Sequence, residues 1–273
     1  MKIKEIFRFY CAAALGSVLS VIKVRTNFGF SLSTNTREMI GRKLFTFGFW
    51  EPNLTQFIRE RVREGTQFID VGTNIGYFSL LAEMLGADVR GIEASPEMSQ
   101  LASRNLADTG GKGRIMNAAC AAEEGEVVLY ESRLTLNPGA RTILPNGCPV
   151  HARVQSAPLL TLVDLDPARP CFIKIDIEGA ERPALLELVE LIANSPEIDL
   201  TIVAEIAKEN RDLLQLFTQR GCRVSLLPND YSNEAYSSFS GQCLLVPLDQ
   251  QHSVPEPFDF VIESPAALAR VGD

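Results

Sequence analysis

Histidine is almost missing from this chain: only His151 and His252 occur among 273 residues. A mechanism built on an imidazole base therefore has little to draw on, and the search for a base turns to carboxylates. Both histidines are expected at the surface, His151 in a segment able to fold over a pocket. Metal-site spacing is missing as well. The six cysteines, Cys11, Cys120, Cys148, Cys171, Cys222 and Cys243, form no C-x-x-C pair and no cluster with histidine, so no zinc site is read here. Cys171, Cys222 and Cys243 stand in apolar, strand-like runs, where cysteine acts as a small hydrophobe. The set reads as reduced thiols in a cytoplasmic protein. There is no internal repeat and no low-complexity tract, which excludes a solenoid or a disordered chain. With 46% hydrophobic and 22% charged residues, the sequence has ample material for one core.

The apolar run from Phe9 to Ile22 is shorter than the ~20 residues that span a bilayer. Lys2, Lys4 and Arg8 precede it, and Lys23 and Arg25 follow. Residues 1–25 read as a helix, for which three settings stay open: packing on the domain, lying on a membrane surface, or removal as a signal segment. A peripheral membrane contact through residues 1–25 belongs to the second.

Basic charge is scarce outside the front end. Residues 1–63 hold 11 Lys+Arg against 4 Asp+Glu, whereas the remainder holds 15 against 30. A body so acidic is a poor match to a polyanion, because phosphate neutralisation needs clustered Lys and Arg. No nucleic-acid partner is expected, and a small, hydroxylated acceptor is favoured.

What is present from residue 67 onward is an alternation. Gln67–Val71, Asp88–Glu93 and Gly113–Asn117 read as strands, with helices over Tyr77–Leu85 and Pro96–Ala107 between them. This order predicts a parallel sheet with right-handed crossovers. Glu126–Tyr130 and Ala152–Ala157 read as the arms of a hairpin-like insertion whose long, turn-rich connection is suited to covering a pocket. The alternation resumes with Cys171–Ile175, a helix over Ala180–Ile192, Leu200–Glu205, a helix over Asn210–Arg220, and strands at Arg223–Leu227, Gln242–Val246 and Phe258–Ile262. Residues from Pro265 read as a tail.

The dinucleotide fingerprint G-x-G-x-x-G is absent. In its place, at the end of the first strand, stands Asp70-Val71-Gly72-Thr73-Asn74-Ile75-Gly76. Gly72 permits a tight turn and Gly76 a close approach of the helix start to a ligand. Asp70 would repel a diphosphate but accept bonds from an amino group, so the turn points to a ligand with a cationic amino-acid end. Glu93 ends the next strand 23 positions later, well placed to accept from ribose hydroxyls. Ser95-Pro96 then starts a helix, with Ser as N-cap and Pro at the first helical position. Asn117-Ala118-Ala119 follows the third strand, where an adenine ring would lie, although Asn117 serves equally as a turn cap. Lys174, Asp176 and Glu178 alternate at the end of a buried strand, and charged residues in such a place are paired or functional. Asp176 or Glu178 is suited to deprotonating a hydroxyl or to holding a divalent metal through oxygen. A Lys174–carboxylate pair that only steadies the turn is the plainer alternative. Glu205 is placed to join the two acids in a cup.

Taken together, Gly48–Pro52, Phe68–Ser79, Ile92–Pro96, Asn117–Ala119, Leu160–Asp164, Ile173–Glu181 and Val203–Glu205 resemble the FkbM family of methyltransferases, in the family's order over roughly residues 41–206. Thr73 stands where the family often has Ala. The resemblance implies an α/β fold with a Rossmann-like class I methyltransferase sheet and helices on both faces; the hairpin-like insertion and an N-terminal helical extension are read from the residues, since the first 25 residues and the stretch after about Val246 lie outside the resemblance. The chain thus divides into that extension (1–50), a methyltransferase domain (51–263) and a C-terminal tail (264–273). It implies S-adenosylmethionine bound by Asp70, Gly72, Asn74, Gly76 and Glu93; Asn117 and Ala118 are placed beside its adenine by their position after the third strand. It also implies O-methylation of a hydroxyl on a sugar, polyketide or similar small molecule, to which a lipid-linked glycan is added as an acceptor; the residues themselves offer Lys174, Asp176 and Glu178 as the catalytic group, with Asp176 or Glu178 removing the hydroxyl proton. Competing readings are a nicotinamide-dependent oxidoreductase, a methyltransferase acting on protein or RNA, and a catalytically silent S-adenosylmethionine-binding protein.

Overall fold

The computed structural model describes Glu5, Phe9, Cys11 and residues 21–131, 141–145, 147–177, 180–253 and 256–271. The front end differs from the expected helix. Glu5, Phe9 and Cys11 are helical, while most of residues 1–20 lie outside the described residues. At Ile22 the chain is already a strand. β1 (Ile22–Arg25) pairs antiparallel with β2 (Ser31–Thr34), Val24 facing Leu32. The reason is local: Val24 and Leu32 bury while their neighbours are less covered, a period of two. Asn27-Phe28-Gly29 supplies the turn, with Gly29 at φ +93°. The uninterrupted apolar run before Ile22 carries no helix stop signal, which is why the sequence read as one helix. Helices α1 (Met39–Phe47) and α2 (Pro52–Arg61) follow, and their buried residues join the same core cluster as Phe68, Tyr77 and Leu80.

The body runs β3 (Gln67–Val71), α3 (Tyr77–Met84), β4 (Asp88–Glu93), α4 (Pro96–Asp108), β5 (Arg114–Asn117), β6 (Ala119–Cys120), β7 (Gly125–Tyr130), β8 (Val150–Ala157), α5 (Leu159–Leu162), β9 (Cys171–Ile175), α6 (Arg182–Asn194), β10 (Leu200–Ala204), α7 (Leu213–Gln219), β11 (Arg223–Pro228), α8 (Asn233–Ser238), β12 (Val246–Pro247), β13 (Phe258–Glu263) and α9 (Pro265–Val271). The main sheet has the order β12-β11-β13-β10-β9-β3-β4-β5. β5, β4, β3, β9 and β10 are mutually parallel, and β13 inserts antiparallel between β10 and β11. β3, β9 and β10 are buried along their whole length, as parallel strands covered on both faces must be. Alternate residues feed two cores. Ile69, Val71, Ile173 and Ile175 pack with α6 and α7, while Phe68 and Phe172 pack with α1, α2 and α3.

Two further expectations change. The strand read over Gln242–Val246 shrinks to Val246–Pro247. The stretch read as a tail is helix α9, held by buried Ala267 and by Arg270 Nε 2.9 Å from Asp199 Oδ2. Phe258–Glu263 is fully buried because it lies inside the sheet. The insertion is antiparallel as expected, β7 against β8, and β6 adds a parallel third strand to it. Among the described residues no helix is long and apolar enough to cross a membrane.

Candidate active site

The strand order reverses between β3 and β9: the chain moves outward through β4 and β5, then crosses back to β9. Ligand crevices in open α/β sheets form at the carboxyl ends of the strands at such a switch point, and the residues singled out in the sequence converge there. Gly72, with φ +83°, donates its N–H to Ile92 O at 2.9 Å. A Cβ on Gly72 would stand 1.8 Å from the carbonyl oxygen of Asp176, so the β3 and β9 turns touch through a position only glycine can fill. Asn74 adopts φ +53°, and its N–H donates to Glu93 Oε2 at 2.8 Å. Ser95 N–H donates to Glu93 Oε1, also at 2.8 Å. Burial pushes the Glu93 carboxyl upward, and these two N–H groups oppose it.

A cleft opens over this turn, lined by Gly72, Asn74, Glu93, Ala118, Asp176 and, from the insertion, Leu129, Arg141 and Ile143. The insertion thus covers a pocket, as its length and turns suggested. Arg141 fastens it, donating to Ser95 Oγ at 3.0 Å and to Glu131 Oε2 at 3.2 Å.

A second cleft lies on the other side of the turn. It shares Gly72, Asn74 and Asp176 with the first, and adds Trp50, Glu51, Tyr77, Phe78, Lys174, Glu205 and Tyr231. Its floor is a charge cluster set by strand register. Asp70 and Lys174 are direct neighbours on β3 and β9, both facing the α3 side. Lys174 Nζ donates to Asp176 Oδ2 at 3.1 Å and stands 3.9 Å from Asp70 Oδ1. Burial opposes the ammonium charge, but Asp176, Asp70 and Glu51 outweigh it and hold the group above lysine's ordinary range. The Asp70 carboxyl is pushed up by burial against the pull of Lys174 and Ser79.

Several expected site residues take other places. Asp70 is fully buried, accepts from Ser79 Oγ at 2.7 Å, and lines neither cleft. It anchors Lys174 and α3 from behind, so an amino group in either cleft does not meet its carboxylate directly. Gly76, φ +85°, also lines neither cleft; a Cβ there would press on Ala102 at 3.3 Å, so it serves the packing of α3 on α4. Asn117 is exposed, and its amide donates to the carbonyls of Glu93 and Ala94 at 2.9 and 3.0 Å; it is the turn cap, and Ala118 beside it reaches the cleft. Thr73 is accommodated because its hydroxyl donates to Asp70 O at 2.9 Å. Glu178 lies outside the described residues. Asp176 and Glu205 do share the second cleft. Among the described residues no group of three or more His, Cys, Asp or Glu side chains is placed to hold a metal ion. His151, expected at the surface, is half-buried: its side chain is 11% exposed, with Nδ1 2.8 Å from Glu131 Oε1. The side chain of His252 lies outside the described residues.

Three residues of this region carried no assigned role in the sequence. Glu51 adopts φ +38° immediately before Pro52, which starts α2. Its Oε1 accepts from Tyr231 Oη at 2.7 Å. Burial, with Asp259 and Asp176 adding to it, raises the Glu51 carboxyl well above the ordinary range. Asp259 on β13 accepts from Asn229 Nδ2 at 3.0 Å. The one signal for Glu51 was its place in Gly48–Pro52. Tyr231 and Asp259 reach the site from distant segments without a local signal. Asp259 is pushed by burial from 3.8 to about 6. A carboxyl raised on folding adds stability that is fully present below the unfolded value and is lost as pH rises through the folded one. Asp259→Asn is therefore expected to raise the unfolding free energy at pH 8, by on the order of 1–3 kcal/mol, and to leave it unchanged at pH 3. Urea unfolding at both values measures this; equal effects at the two would contradict it.

The sheet order, with one antiparallel strand inserted next to the last parallel one, and a glycine turn facing a strand-end glutamate make this a Rossmann-like fold of the class I methyltransferase type. The family model described as the methyltransferase FkbM domain matches residues 70–224, and the chain belongs to that family. Among solved structures it is similar to ribosomal protein L11 methylase from Lactobacillus delbrueckii subsp. bulgaricus, at 14% identity over 78% of this chain and 77% of that one, with a TM-score of 0.39. It is similar to TehB-like SAM-dependent methyltransferase from Corynebacterium glutamicum, at 14% identity over 82% and 93%, TM-score 0.42. It is also similar to Pyrococcus abyssi tRNA (uracil-54, C5)-methyltransferase in complex with S-adenosyl-L-homocysteine, at 11% identity over 90% of this chain but 44% of that one, TM-score 0.46. No curated protein matches the sequence.

Proposed function

We propose that this methyltransferase O-methylates a hydroxyl of a small molecule, with the cofactor in the first cleft and the acceptor in the second. The observation that carries this reading is that the two clefts meet at Gly72, Asn74 and Asp176. A methyl donor and an acceptor must meet at one point, and a carboxylate stands there. The first cleft fits S-adenosylmethionine: its floor is the glycine turn at Gly72, and Asn74 Oδ1 beside it is buried without a hydrogen-bond partner. The turn at Gly72 and Asn74 would hold the amino-acid end, Glu93 the ribose hydroxyls, and Ala118 the base. Asp70 and Gly76 support that turn from behind. When bound, the cofactor supplies an activated sulfonium methyl.

The protein's own share is positioning and proton removal. Asp176 is 39% exposed, open enough to meet a hydroxyl, and would take its proton as the oxygen is methylated. Lys174, bonded to the same carboxylate, keeps it oriented. Glu178, the alternative base, stays second to Asp176 because Asp176 borders both clefts. Trp50, Tyr77, Phe78 and Tyr231 wall the acceptor space with apolar rings, which favours a small organic molecule over a polyanion. The acidic body argues the same way against nucleic acid.

Calorimetric titration with S-adenosylhomocysteine tests the cofactor half. Micromolar binding is expected, weakened about tenfold or more in Glu93→Gln through loss of charge-assisted hydrogen bonds, with no response to NAD. Binding of NAD without S-adenosylhomocysteine would sink the assignment.

A further inference from the structure

The acceptor cleft opens beside a groove that no step above uses. Arg37, Arg42 and Lys43 line it together with Ser232 and Asn233, and Met39 and Tyr231 belong to both spaces. We propose that the acceptor carries a phosphate-type anion, seated against Arg37, Arg42 and Lys43 while its hydroxyl reaches Asp176. The proposal rests on the reading of the second cleft as the acceptor site.

The state of the cations supports it. Lys43 is 6% exposed, yet among the described residues its ammonium donates to neutral oxygens, Tyr231 O at 2.6 Å and Asn233 Oδ1 at 2.8 Å, and stands over the Tyr236 ring at 4.3 Å. Burial lowers it to about 8, against the weaker pull of Asp230 and Glu234. A buried ammonium bonded to neutral groups gains further from an anion placed beside it. Arg42 donates Nη2 to Arg37 O at 3.3 Å, and its Nε is buried without a hydrogen-bond partner. Carboxylates are not in short supply in this chain: Arg61 and Arg223 both pair with Glu263, and Arg182 with Asp212. Among the described residues Arg42 and Lys43 sit apart from those ion pairs; Arg42 stands over the Phe9 ring at 5.7 Å, and all three residues line the groove.

The neighbouring cleft decides where such an anion lies. Asp176 and Glu205 line the cleft, with Lys174 the cation among its described lining, and the Lys174 ammonium is already bonded to Asp176. An anion at the reacting end meets like charge; at the mouth it meets two guanidinium groups and an ammonium. Phosphate, with several oxygens and a charge approaching two, matches that set, and the guanidinium fork suits it. The acceptor is thus a hydroxylated group joined to phosphate or diphosphate, either a soluble phosphorylated compound or the headgroup of a membrane lipid.

The test uses the full chain, as wild type, Arg42→Gln and Arg42→Lys. Each is titrated with inorganic pyrophosphate at low salt and, separately, with S-adenosylhomocysteine. Each is also sedimented with phosphatidylcholine vesicles with or without phosphatidic acid. Expected is saturable pyrophosphate binding, weakened about tenfold or more in Arg42→Gln and partly kept in Arg42→Lys, with S-adenosylhomocysteine affinity equal in all three. Arg42-dependent binding of phosphatidic acid vesicles in addition assigns the anion to a lipid headgroup. Its absence beside pyrophosphate binding assigns a soluble compound. Equal behaviour of wild type and Arg42→Gln toward both probes, with S-adenosylhomocysteine binding intact, overturns the proposal. Failure of wild type to bind S-adenosylhomocysteine strikes the underlying methyltransferase reading instead.

Discussion

Lys174→Met is expected to cost about 3–5 kcal/mol of unfolding free energy, the range for removing one partner from a buried ion pair. Asp70 is fully buried, its Oδ1 has no hydrogen-bond partner, and the Lys174 ammonium at 3.9 Å is the charge that compensates it. Without that ammonium, Asp70 either stays ionised in an apolar surrounding or takes up a proton, and both costs fall on the folded state. Glu51 and Asp176 lose the same cation. Urea denaturation at pH 7 measures the change. Asp70→Asn in the same chain should recover a large part of it, because the neutral amide no longer needs a counter-charge. A loss below about 1 kcal/mol, the level of an exposed ion pair, would mean that the cluster is solvated.

Asp176→Asn should leave the fold and the cofactor cleft in place and remove turnover. Its amide oxygen still accepts from Lys174, and the carbonyl oxygen that Gly72 packs against belongs to the backbone. With no base beside the acceptor hydroxyl, kcat is expected to fall by about 10²–10⁴. The affinity for S-adenosylhomocysteine should stay within about threefold, well under the tenfold that corresponds to loss of one good polar contact. The readout is S-adenosylhomocysteine release with a hydroxylated acceptor, next to calorimetry on the same variant. Full turnover in Asp176→Asn would move the proton to Glu178 or Glu51.

The parts of this protein legible in the sequence are those where a short stretch answers to its own chemistry. Gln67–Val71, Asp88–Glu93 and Cys171–Ile175 are strands with the expected bounds, because apolar β-formers between turn residues leave the backbone little choice. Ser95 caps α4 as its type and place foretold, and Gly72 takes the positive φ that its turn demands. Glu93 and Asp176 lie at strand ends, and the switch point brings strand ends together. Such features follow from local sequence and from the handedness of βαβ units.

Tertiary structure alone decided the rest. Whether Asp70 faces a cleft or a core depends on which face of β3 α3 covers, and Ser79 and Lys174 claim it on the buried side. Gly76 could not be divided between ligand contact and helix packing until Ala102 was placed against it. Glu51, Tyr231 and Asp259 come from three distant segments, and the last rides on a strand that enters the sheet between two earlier ones. A side chain's neighbours across a fold are set by packing that sums over the whole chain, and such sums leave no mark on a local stretch of residues. The sequence by itself therefore determined the fold class, the glycine turn and the strand-end carboxylates. Their division into two clefts meeting at Asp176, and the cations at the mouth of one, came only with the chain's closure on itself.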